Sequence, residues 1–92
     1  MVNDLDAMLA ALADPTRRTV IDSLRKGPRR AGELADLAGA SAPAMSRHLR
    51  ILRDSGLVEA DILDHDARVR VYRLRRERFR PLQSWLRRIA PA

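Results

Sequence analysis

The chain has 92 residues, 46% of them apolar and 33% charged, with a formal net charge of +6 and no cysteine. That length bounds one small domain with a marginal core, and the missing thiols exclude disulfides, thiolate metal sites and cysteine nucleophiles. The charge is lopsided: residues 1–40 balance six basic against six acidic side chains, whereas residues 41–92 hold twelve basic and six acidic. Such a half points to a polyanion, and to nucleic acid ahead of a membrane, because no basic helix pairs with a bulky aromatic insertion face.

Asp4 and Asp6 precede a seven-residue apolar run, the wrong charge and length for a signal peptide, and no stretch approaches membrane-spanning length. The spacing predicts a first helix over 4–13 with Leu5, Met8, Leu9 and Leu12 on one stripe. Asp14-Pro15 reads as an N-cap with proline at the first helical position. It opens a helix to Lys26 that turns Val20, Ile21 and Leu24 inward and is stopped by Gly27-Pro28. A link through Arg29 and Arg30, short enough for a strand stub, leads to a small helix over Ala31–Ala38 expected to bury Leu34 and Leu37. Gly39 closes it.

Ser41 to Gly56 reads as a capped helix, with Ser41 as N-cap, Pro43 in the first turn and Gly56 after the last. Met45, Leu49 and Leu52 stack on one side. Pro43, Arg47 and Arg50 point the opposite way, with Ser46 on their flank. Small residues and guanidinium forks on an outward face suit a helix entering the DNA major groove, although an ordinary solvated surface helix can look the same. With only a tight turn between them, this helix and the one before it form a helix-turn-helix over 31–56.

Beyond Gly56 the period falls toward 2. Leu57–Leu63 and Arg68–Leu74 flank the polar stretch Asp64-His65-Asp66-Ala67, which predicts a β-hairpin, a wing spanning 57–74 with Arg68 and Arg70 on one face. In the last helix, 79–90, apolar residues recur at Phe79, Leu82, Leu86 and Ile89 with Trp85 beside them, the spacing of a packed seam. Tyr72, Phe79 and Trp85 are the only aromatics, and a monomer this small has little left to cover them. The first and last helices are therefore expected to form a homodimer interface through Leu5, Met8, Leu9, Leu12, Phe79, Leu82, Trp85, Leu86 and Ile89. Residues 1–92 thus read as a single, mainly α domain with a small hairpin, in the order α-α-α-α-β-β-α: a dimeric winged helix-turn-helix.

Three spaced motifs, ALADPTRR at 11–18, GEL at 32–34 and SRHLRILRDSGLVE at 46–59, resemble the ArsR/SmtB family of winged-helix repressors. The resemblance runs from about Leu9 to Leu74. It implies a homodimeric prokaryotic transcription regulator, cytoplasmic and nucleoid-associated, whose DNA contacts fall on Ala42, Pro43, Ala44, Ser46 and Arg47, with His48 beside them and Arg68 at the wing. Ala42 stands where many members carry a polar residue, and Ala67 where the wing glycine is usual. Many relatives respond to metals or oxidants through cysteines in the helix after GEL or through carboxylates and histidines in the last helix. Here Glu33–Gly39 reads ELADLAG, and Phe79–Ile89 holds no histidine, aspartate or glutamate. The chain is similar to the metal-independent members, with no cofactor expected and no inducer named.

His65 between Asp64 and Asp66 has metal-ligand chemistry, but turn-forming aspartates explain the trio without a metal. His48, at the edge of the apolar stripe, is either a packed, hydrogen-bonded residue or a DNA contact, its position favouring the first. The basic run at 73–80 reads as a solvated face ahead of a second phosphate strip. An enzyme finds no support: there is no glycine-rich phosphate loop, and the two histidines lie in separate elements. The rival is a winged helix that docks proteins without binding DNA, against which Arg47, Arg50 and Arg68 argue.

Overall fold

The computed structural model describes residues 4–62 and 70–91. Five helices, α1 (Asp4–Leu12), α2 (Pro15–Leu24), α3 (Ala31–Ala38), α4 (Ala42–Asp54) and α5 (Arg80–Ile89), accompany strands β1 (Arg29–Arg30), β2 (Val58–Ile62) and β3 (Arg70–Leu74), with a 3₁₀ turn at Arg76–Phe79 before α5. The strands form one antiparallel sheet in the order β1-β3-β2. In it Val58 pairs with Leu74 and Ile62 with Arg70, and the stub pairs Arg29 with Tyr72 and Arg30 with Val71. No helix among the described residues is long and apolar enough to cross a membrane.

The core is built from one face of each element. Met8 and Ala11 of α1, Val20 and Leu24 of α2, Leu34 and Ala35 of α3, and Met45, Leu49 and Leu52 of α4 close over Leu57, Val58 and Tyr72. The expected α4 stripe is completely sealed, Met45 and Leu49 at 1% and Leu52 at 0% exposure. Burying such side chains contributes roughly 1.5–3 kcal/mol each, so the inner face of α4 is fixed and its outer face is determined by default.

Beyond one-residue shifts at helix ends, one boundary and one buried position differ from the sequence reading. α2 ends at Leu24, short of Lys26, because its last turn tightens: Lys26 N–H donates to the Ser23 carbonyl at 3.2 Å and Gly27 N–H to that of Leu24 at 3.1 Å. Leu37 is exposed and Ala35 takes its place. In this eight-residue helix the inward positions are Ala31, Leu34, Ala35 and Ala38, and Leu37 lies well round the helix from their centre. Close approach of α3 to α2 and α4 needs alanines there.

The dimer residues divide. Met8 is 2% exposed and has no surface to offer a partner, so its assignment to the interface is corrected: α1 turns it into its own chain's core. Leu12, Phe79 and Leu82 are half-buried against that same core, and Tyr72, counted among the uncovered aromatics, lies 8% exposed within it. Leu9, Leu86 and Ile89 remain exposed, with Leu5 and Trp85 intermediate.

Candidate nucleic-acid interface

The start of α4 is set by Ser41, whose backbone is extended and whose Oγ accepts the Ala44 N–H at 3.2 Å. The turn before it is set by Gly39, at φ +64°, a left-handed conformation that closes α3 and costs a glycine nothing. The Ala40 N–H then donates to the Ala35 carbonyl at 2.9 Å. These two caps aim the N-terminal end of α4 outward. Ala42, Pro43, Ser46, Arg47 and Arg50 are exposed there, Ala44 is half-buried, and Arg70 is exposed at the first position of β3. Arg68, Ala67 and the Asp64-His65-Asp66 trio lie outside the described residues, so the wing-tip contacts do too. Among the described residues no carboxylate pairs with Arg47 or Arg50, which leaves both guanidiniums available to an anionic partner.

His48 does not point with them. It is half-buried, and its Nδ1 lies 3.3 Å from Nη1 of Arg17. Arginine has no acceptor, so Nδ1 accepts and the imidazole proton sits on Nε2. The packed reading of His48 therefore has a partner.

Arg17 does more than hold that ring. Its Nε donates to the Ala11 carbonyl at 2.6 Å and its Nη2 to that of Ala10 at 3.3 Å, while Arg18 Nη1 donates to Leu12 at 2.7 Å. The last carbonyls of α1, which have no helical donor, are thus capped by the second and third residues after Pro15. Asp14 caps the other side of the same junction, its Oδ1 accepting from Thr16 N–H at 2.8 Å and Arg17 N–H at 3.2 Å. Partial desolvation acts to raise the Asp14 carboxyl. The backbone N–H groups of Arg17 and Thr16, helped by the nearby His48 and Arg17, outweigh it and hold it below the ordinary 3.8. The stretch DPTRR is therefore a junction at which one cap starts α2, two arginines finish α1 and one of those arginines fastens α4. Sequence reasoning found the Asp-Pro cap and missed the arginines. Their signal was their placement two and three residues after the proline, back within reach of the preceding helix end. Glu33 of the GEL motif is likewise structural: it accepts the Arg30 N–H at 3.1 Å and pairs with Arg29 at 3.7 Å.

The basic run after β3 is largely engaged. Arg73 pairs with Glu59 and donates to Asp61 at 2.8 Å. Arg75 bridges Glu59 at 3.0 Å and Glu77 at 2.8 Å, and Arg76 donates to the Arg25 carbonyl at 2.5 Å. These guanidiniums tie β2, β3 and the 3₁₀ turn together, so Arg73 and Arg75 are ion-paired where a solvated face was expected.

The model of the bacterial regulatory proteins of the arsR family matches residues 14–60, from the Asp14 cap to β2. The chain belongs to the ArsR family. It is 45% identical over 53 residues to the HTH-type transcriptional regulator Rv2034 of Mycobacterium tuberculosis, covering 58% of this chain and 50% of that one. The crystal structure of the ArsR family transcriptional regulator RHA00566 superposes with a TM-score of 0.82 at 34% identity, over 94% of this chain and 91% of the other. The solution structure of the homodimeric winged helix-turn-helix domain Mb0332 from Mycobacterium bovis gives 0.72 at 26% identity, over 95% and 78%. The match covers 50% to 60% of the length of the first curated relatives. ArsR family members are regulators, not enzymes.

Proposed function

We propose that the chain is a sequence-specific, double-stranded DNA-binding repressor that acts as a homodimer in the cytoplasm, on the nucleoid. The observation that carries this is the division of α4. Met45, Leu49 and Leu52 are sealed in the core, while Pro43, Ser46, Arg47 and Arg50 stand exposed with no carboxylate among the described residues holding the arginines. α1 and α5 form the dimer contact through Leu9, Leu86 and Ile89, with Leu5 and Trp85 at its margin. Two-fold symmetry then sets the paired α4 helices in successive major grooves, over an inverted repeat with half-sites about 10 bp apart. A dimer seated there blocks the duplex it covers. The homodimeric Mb0332 domain supports the assembly, and the regulator names borne by the relatives support DNA as the partner.

Arg47 lies on the outward face within the first two turns, where a guanidinium fork reaches guanine O6 and N7. Arg47→Ala should cost on the order of 1–3 kcal/mol against the operator and relax specificity at one position per half-site. Arg68, read as a backbone or minor-groove contact, should on loss weaken all duplexes alike and flatten the salt dependence. Both variants are measured against operator and scrambled duplex across a salt series. An unchanged operator-to-scrambled ratio for Arg47→Ala refutes the assignment of α4, and salt-independent, negligible binding to either duplex supports the protein-docking alternative.

A further inference from the structure

Between the C-terminal half of α4 and the base of the wing lies an open cleft of about 580 Å³. Its walls carry Arg50 and Arg53 from α4, Arg75 and Arg78 from the segment entering α5, and the carboxylates Asp54 and Glu59. The floor turns at Gly56, whose φ of +82° is a left-handed conformation that favours glycine. The arginines are not equivalent. Arg75 is committed to Glu59 and Glu77, whereas Arg50 and Arg53 have no carboxylate partner among the described residues and Arg78 feels Glu77 only at longer range, without an ion-pair contact.

Guanidiniums from two elements lining one concavity, Arg53 of α4 and Arg78 of the segment entering α5, suit an oxyanion, each fork offering two parallel donors. The cleft also contains what a DNA backbone avoids. Asp54, in the last turn of α4, has no ion-pair partner among the described residues, and its carboxylate is an acceptor that a phosphodiester, which has no donor, cannot use. Arg53 is ten residues beyond Pro43, roughly 15 Å along the helix from the end that reads DNA. A wall with both signs of charge, little apolar surface and an offset from the reading end fits a small solute better than a polymer.

We propose that this cleft is a binding site for a small, strongly hydrophilic anion, a phosphate- or carboxylate-bearing metabolite with at least one hydrogen-bond donor. Arg53 and Arg78 take the anionic group, and Asp54 accepts from the donor. Its walls belong to the reading helix, the wing and the segment leading into α5, so an occupant bridges the three and biases their relative placement. That consequence, though not the binding itself, rests on the DNA-binding function proposed above.

The test titrates the intact protein with inorganic phosphate, then with glycerol phosphate, at ionic strength matched with chloride, following the arginine Nε–H and Gly56 amide resonances. Saturable shifts are expected at Arg53, Arg78 and Gly56, with glycerol phosphate at least fivefold tighter than phosphate. Affinity should fall at least fivefold in the Arg53→Gln/Arg78→Gln variant. Equal shifts at Arg87 and Arg88 on α5, or a titration that the double variant leaves unchanged, overturn the site. Operator binding distinguishes the two sources of phosphate. A salt slope that the double variant leaves unaltered supports a free anion, and one that drops by about two assigns the arginines to DNA phosphates and overturns the proposal. In the wild type, saturating glycerol phosphate should change operator affinity at least fivefold, within the usual range of coupling between sites. Should no duplex bind at all, the DNA-binding reading fails, and the resonance titration still decides the cleft.

Discussion

Arg17 is the residue on which most of the helical arrangement converges. One guanidinium satisfies two terminal carbonyls of α1 and the Nδ1 of His48 on α4, so it joins three helices where a hydrophobic side chain could join two. Arg17→Met keeps the aliphatic stem and removes every donor. Counting about 1 kcal/mol net for each well-made bond and less for the longer ones, it should lower stability by about 2 kcal/mol. DNA affinity should fall further than stability alone explains, because α4 loses a fixed angle. Urea unfolding and operator titration on the same variant separate the two effects. This residue also shows what a sequence conceals. The Asp-Pro cap was legible because it acts on neighbours three residues away, whereas Arg17 reaches back six residues to Ala11 and across 31 to His48. No local spacing rule contains such a partner.

At the scale of elements, caps and charge ladders set where helices and strands begin. Ser41→Ala removes the side-chain acceptor at the start of α4 and should cost about 1 kcal/mol, read as a lowered midpoint in urea. The α4 stripe was legible because 3.6-residue periodicity is a property of the helix itself. Leu37 was misread because α3 is only two turns long, and tertiary neighbours decide which of its two candidate faces turns inward. Acid should loosen the element ends. The hydrogen bond from Arg75 holds the Glu77 carboxyl below its ordinary 4.5, and the Asp14 cap holds its own below 3.8. Both folded values are depressed. Their contributions are complete above the unfolded values and are lost as pH falls through the folded ones. Thermal midpoints of Asp14→Asn and Glu77→Gln should therefore lie below wild type at neutral pH and converge on it in acid. A constant offset at every pH would show that the lost stability is unrelated to protonation.

For the whole molecule, the apolar surface left on α5 sets the expected assembly. Leu86 is 45% and Ile89 59% exposed on a helix whose other exposed residues are Arg80, Pro81, Gln83, Ser84, Arg87 and Arg88. Leu86→Glu should place carboxylates facing each other across the proposed two-fold axis, where unpaired burial is expensive. Sedimentation at micromolar concentration should then show monomer where the wild type shows dimer. Circular dichroism checks that the chain stays folded, as an exposed position in the single chain allows. A wild-type monomer under those conditions would refute the dimer. The sequence showed the spacing of this seam but not its division, because Phe79 and Leu82 fit the same pattern as Leu86 and Ile89 while packing on their own core.

The Arg17–His48 contact also limits how this fold can be repurposed. Of α4, the stretch from Ala42 to Arg47 presents mostly exposed side chains, interrupted by the core residue Met45, whereas His48 is tied to Arg17 of α2 and through it to the end of α1. Retargeting to a new duplex should succeed by rewriting positions 42, 43, 46 and 47 alone. A cassette transplanted as an entire helix would arrive without its fastening unless the recipient also supplied an arginine one turn into α2. New specificities are therefore accessible by few substitutions, confined to the first two turns.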